Sequence, residues 1–187
     1  EGLTENPFEI NWHPYQLNPE MPQTGMDRKE YLEKKFGGSK GIIAAYGTIF
    51  EHTKKFNIDS NFDKIKVTPN TMHAHRIIHW SALENCQNQI VSELFKAYFV
   101  NGFNIGDKKI LAKLASKYFM DEKSILRLLD SDNDHNKVSK KDQAARQMGI
   151  SAVPMFIVAE HYAVSGAQTS DLWKRVIKEI QTKMTIS

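Results

Sequence analysis

Apolar and polar positions alternate with period two over Phe8-Glu9-Ile10-Asn11-Trp12, between Pro7 and Pro14, which predicts a short strand with one buried face. From His13 to Gly25 the chain carries Pro14, Pro19, Pro22 and Gly25, whose fixed φ angles and missing donors make this an irregular crossing loop. The period then becomes helical. Asp27 is placed to cap a helix running to Phe36, and Gly37-Gly38 breaks it. Ser39 is placed to cap a second helix, whose apolar positions are Ile42, Ile43, Tyr46, Ile49 and Phe50. Asn70 or Thr71 opens a third, with Met72, Ile77, Ile78 and Trp80 as core contacts, and Ile90, Leu94, Ala97 and Tyr98 mark a fourth that ends at Asn101-Gly102. Asp107 and Asp121 cap two shorter helices, the polar stretch 131–136 makes a turn, and a helix from about Val138 to Met148 stops at Gly149. Strand character returns in Met155-Phe156-Ile157-Val158 and Tyr162-Ala163-Val164, joined at Glu160-His161 as a hairpin that Gly166 ends. Thr169 or Ser170 then caps an amphipathic helix with Leu172, Trp173, Val176, Ile177 and Ile180 on one face.

Composition adds bounds. The 187 residues are 41% hydrophobic and 25% charged, which suits one medium domain or a compact domain with a large insertion. A formal charge of +3, with both signs mixed along most segments, gives too weak a field to point to nucleic acid or an anionic membrane as partner. No apolar run approaches the ~18–20 residues that span a bilayer. Cys86 is the single cysteine, so an internal disulfide and thiolate zinc clusters are excluded, and redox chemistry needs a second sulfur. Glu1-Gly2-Leu3-Thr4 reads like a loop between two elements, with residues expected upstream.

Pro154 stands directly before a strand, where it donates nothing to a ladder. Taken alone, it favours an ordinary trans bond. Its surroundings reverse that reading. Gly149-Ile150-Ser151-Ala152-Val153-Pro154-Met155-Phe156 and Tyr162-Ala163-Val164-Ser165-Gly166-Ala167-Gln168 resemble the DsbA family, specifically its FrnE-like branch. The resemblance extends in order through Pro7-Phe8-Glu9 to Trp12, Leu17-Asn18-Pro19-Glu20-Met21-Pro22, Gly25-Met26-Asp27, Pro69-Asn70-Thr71 with Ala74-His75-Arg76, Ala97-Tyr98-Phe99, and Asn104-Ile105-Gly106-Asp107.

The resemblance implies an α/β thioredoxin-like fold with a large inserted helical domain: residues 1–26 and 136–187 as thioredoxin-like parts, and 27–135 as the insertion. It also implies a Cys-X-X-Cys at the start of a first helix, after a first strand, which would fall before Glu1; the strand, turn and long helix required amount to about 25–35 upstream residues. No catalytic residue is then expected within this chain. Val153 and Pro154, in a cis-proline loop, would dock a protein or peptide thiol or disulfide, and Asn70 and Gln168 join them as substrate-binding candidates. Asn70 and Arg76 have a plainer reading as a helix cap and an ion pair. Cys86 matches no catalytic position and reads as inert. His75 and His79 stand at i and i+4, a zinc-compatible spacing, but without an HEXXH arrangement no metal is assigned. No cofactor is implied.

The function expected is that of a thiol–disulfide oxidoreductase or isomerase, and the branch implies a bacterial cytoplasmic protein, with an export signal before Glu1 as the alternative. Two other functions stand beside it. Kappa-class glutathione transferases and 2-hydroxychromene-2-carboxylate isomerases resemble this scaffold and use glutathione, but Ala167-Gln168 stands where they tend to carry a polar, acidic pair. The last is a non-catalytic binding relic that keeps a peptide groove without its cysteines.

Overall fold

The computed structural model describes residues 8–186. The chain divides into two compact units, 1–142 and 143–187.

In the first unit, β1 (Met26–Asp27) pairs antiparallel with β2 (Val67–Thr68), Met26 opposite Thr68. Between them run α1 (Arg28–Phe36) and α2 (Ser39–Lys55). After β2 come α3 (Met72–Leu83), α4 (Gln87–Phe95) with a π-helical turn at Lys96–Val100, α5 (Lys108–Ala115) and α6 (Glu122–Asp130). Helix α7 (His135–Gln147) runs across the boundary between the units.

The caps follow the local chemistry. Asp27, Asp107 and Asp121 each accept from backbone N–H groups of the first turn, satisfying donors that lack a helical acceptor. At α2 the cap position is taken by Gly38, with no side-chain bond, and Ser39 is already helical. Gly37 closes α1 at φ 69°, directing its N–H to the Glu33 carbonyl. The core is Ala74, Ile77, Trp80, Cys86, Ile90, Leu94, Leu111, Ala112, Ala115, Ile125 and Leu129, drawn from α3 to α6 and the Cys86 cap. Ala112 and Ala115, fully enclosed, let α5 approach its neighbours closely.

Two expectations fail here. Residues 8–12 form no strand, and Ile10 and Trp12 are 50% and 40% exposed. Alternation specifies two faces, but a strand also needs a paired neighbour. At Trp12 a side-chain amide takes that place, with Gln87 Oε1 accepting from Trp12 N–H at 2.8 Å and Gln87 Nε2 donating to the Trp12 carbonyl at 3.1 Å. Helix α2, in turn, buries none of its residues, and Ile43 and Phe50 are 70% and 61% exposed. It packs along the short, polar α1, which has no buried residue of its own to cover that face.

In the second unit, β3 (Met155–Val158) and β4 (Tyr162–Ser165) form the hairpin, with Met155 opposite Ser165 and Val158 opposite Tyr162. Ala159 and Glu160 both take positive φ, 49° and 61°, the turn geometry that matches the twist of paired strands. Helix α8 (Ser170–Ile186) starts from Thr169, whose Oγ1 accepts from Leu172 N–H at 3.3 Å. Leu172, Trp173, Val176, Ile177 and Ile180 are its less exposed positions, as the 3.6-residue period requires, and Trp173 meets Phe156 of β3 edge-on at 4.8 Å.

Candidate substrate-docking site

Three of the four expected binding residues fall in the 143–187 unit. The Val153–Pro154 peptide bond is cis. The Pro154 carbonyl accepts from Gly166 N–H at 2.8 Å, so the hairpin's bonding begins at the proline, one position before β3. Val153 lies outside that ladder. Its backbone makes no hydrogen bond among the described residues, and its side chain is 43% exposed. Phe156 and Ile157 of β3 and Met148 before the loop are exposed apolar side chains of the same unit. Gln168 lies just beyond β4, where its Nε2 donates to the Ser165 carbonyl at 2.7 Å; Gly166, at φ 77°, lets the chain bend for this closure.

Asn70 belongs to the other unit, and its amide is not free. Nδ2 donates to the Met21 carbonyl at 2.6 Å, and Oδ1 accepts from Met72 N–H at 2.9 Å, tying the crossing loop to the start of α3. Among the described residues Arg76 forms no ion pair of the kind its plainer reading expects. Buried to 1% exposure, it donates to the carbonyls of Asn133, Leu129, Leu128 and Ser131 at 2.6 to 3.2 Å and to His73 Nδ1 at 3.2 Å. Those bonds occupy all five guanidinium N–H groups and satisfy the carbonyls at the end of α6. Nothing in the spacing around Arg76 announces this; the signal available was a helix end, Leu128-Leu129-Asp130, with no glycine after it.

His73 and His75 of α3 are held neutral. A guanidinium only donates, so His73 Nδ1 accepts and carries no proton. Burial, then the charge of Arg76, lowers the His73 pKa from 6.5 to about 4. Burial alone lowers His75 to about 4, against the opposing pull of Asp142 and of a backbone bond with Tyr15. Among the described residues no three His, Cys, Asp or Glu side chains group as a metal site. Cys86 sits at the N-terminal cap of α4, 7% exposed, and burial followed by the Glu84 charge raises its thiol pKa. A thiol held protonated is a poor nucleophile.

The family model of the DsbA-like thioredoxin domain matches residues 2–178 of this chain. The chain is 25% identical over 185 residues to the uncharacterized protein YwbO of Bacillus subtilis strain 168, covering 98% of this chain and 88% of that one. Among solved structures it is similar to that of a probable DsbA oxidoreductase from Streptomyces coelicolor, with TM-score 0.76 and 18% identity over 88% of this chain and 72% of the other. At that identity the likeness speaks for the fold: DsbA-like thioredoxin, mixed α/β and mostly helical.

Proposed function

We propose, from the premise that the chain belongs to the DsbA-like thioredoxin domain family, that it is the docking and helical part of a thiol–disulfide oxidoreductase acting on protein disulfides. The reactive pair in this reading is a Cys-X-X-Cys carried before Glu1. The observation that carries the reading is the Val153–Pro154 step, where an unpaired backbone and a half-exposed apolar side chain open at the head of a hairpin. An extended peptide gains main-chain hydrogen bonds at such an edge, and a side-chain contact adds selectivity.

The chemistry needs two sulfurs. A cysteine thiolate attacks one sulfur of the substrate disulfide, forming a mixed disulfide and releasing the other substrate sulfur as thiolate. The second cysteine's thiolate then attacks the enzyme sulfur of that bond, which closes the enzyme disulfide and frees the substrate's remaining sulfur. Run backwards, the same steps oxidise a dithiol substrate. Cys86 takes no part, being single, buried and held as thiol. In this reading 1–26 and 136–187 are the thioredoxin-like parts of the FrnE-like branch, and 27–135 is the helical insertion. Val153 and Pro154 dock the peptide, Gln168 contributes its free Oε1, and Asn70 acts indirectly by holding the crossing loop on α3.

The test is insulin reduction by the intact polypeptide with dithiothreitol. We expect acceleration that disappears when the upstream cysteines are replaced by serine. Val153→Asp is expected to raise the KM for a peptide disulfide while leaving the rate with a small aromatic disulfide unchanged. An intact polypeptide without Cys-X-X-Cys, or a Val153→Asp variant indifferent to the peptide, overturns the proposal.

A further inference from the structure

A pocket of about 300 Å³ opens in the first unit among α3, the α5–α6 connection and the turn after α6. Trp80, Leu83, Phe119, Met120 and Leu128 give it apolar walls, and Glu84, Asn133 and Asp134 are its polar residues. Its lining contains two carboxylates and no Lys or Arg. The two acids differ. Asp134 accepts from Trp80 Nε1 at 3.0 Å and lies 3.8 Å from Lys137 Nζ, so its charge is already answered. The Glu84 carboxylate has neither a hydrogen bond nor an ion pair among the described residues. Arg76 lies 5.0 Å from the centroid of the Trp80 ring but is enclosed, with its N–H groups spent and Asp132 and Asp134 opposing its charge.

We propose that this pocket binds a small organic ammonium with an apolar body. The volume lies at the lower end of the ligand-pocket range, enough for one ring-sized group. Trp80 and Phe119 supply aromatic surface and Met120 a polarisable thioether, a lining that favours an apolar, ring-sized body. Glu84 supplies the one carboxylate of the lining without a partner among the described residues, so a neutral ligand of equal shape leaves it unused and an anion is repelled. The proposal is independent of the thiol–disulfide reading, because every residue it uses lies in the 1–142 unit and none carries exchange chemistry.

The experiment titrates the chain with 2-phenylethylammonium, observing the Met120 methyl and the Trp80 indole N–H by NMR. Saturable shifts at both are expected, with a dissociation constant on the order of 1 mM or tighter. Uncharged 2-phenylethanol should bind about 3- to 5-fold more weakly, the scale of a single exposed charge contact. Glu84→Gln should remove the preference for the ammonium, and Leu83→Lys, at a lip position 72% exposed, should weaken ammonium binding with the fold intact. Shifts that do not saturate, that miss Met120 and Trp80, or that persist with equal affinity in Glu84→Gln overturn the assignment.

Discussion

At the scale of single residues, the Arg76 side chain makes five hydrogen bonds. Four carbonyls and His73 accept from it, the Leu129 bond fully buried and the others partly so. Arg76→Met should therefore cost about 2–4 kcal/mol of unfolding free energy, read by urea denaturation. Arg76→Lys should recover only part of it, since an ammonium cannot reproduce the planar fork. A loss under about 1 kcal/mol for the methionine variant would refute this role. His75 makes a second prediction. Its folded pKa, about 4, lies below the ordinary 6.5, so between those values the unfolded chain binds the extra proton. Stability should fall as pH drops from 6.5 towards 4, with His75 contributing up to about 3 kcal/mol, and should stop responding to this group below pH 4. His73 acts in the same direction. Urea midpoints at pH 7 and pH 4.5 measure the slope, and His75→Gln should flatten it.

At the scale of elements, the sequence was legible wherever local chemistry decides. Asp27, Asp107 and Asp121 cap as their position before a helical period requires, and the hairpin and α8 lie where residues 155–180 place them. What local chemistry does not contain is the partner. Residues 8–12 have the alternation of a strand, but Trp12 bonds to the Gln87 side chain, and α2 has an apolar stripe that α1 does not cover. Pattern reports what a segment could bury, whereas burial is settled by chain distant in sequence. The hairpin turn itself holds a removable cost. Glu160 sits at φ 61° without the hydrogen-bonding side chain that eases this conformation, so Glu160→Gly should stabilise the second unit by about 1 kcal/mol, visible as a raised thermal midpoint. No change, or a lower midpoint, would mean that the wider freedom of glycine in the unfolded chain outweighs the relieved strain.

At the scale of the whole molecule, the family was readable from motifs spread along the chain, and its model matches residues 2–178. The site was legible only in part. The Val153 backbone makes no hydrogen bond among the described residues and the Pro154 carbonyl joins the hairpin, whereas the Asn70 amide is consumed between Met21 and Met72. No composition or spacing reveals such a loop-to-helix bond, because its partner is a carbonyl 49 positions away. The 187-residue chain has one sulfur able to form a disulfide, and burial keeps it protonated. We therefore expect it not to accelerate insulin reduction by dithiothreitol. Acceleration that survives Cys86→Ser would point to contaminating activity, and acceleration lost with Cys86 would overturn the inert reading of that thiol.

The three tryptophans stand in three different surroundings: Trp12 is 40% exposed, Trp80 is enclosed in the helical core, and Trp173 lies edge-on to Phe156 in the hairpin unit. Replacing Trp12 by Phe would leave one fluorophore in each unit. Their emission on heating would then show whether 1–142 and 143–187 melt together or one after the other, without any label being attached.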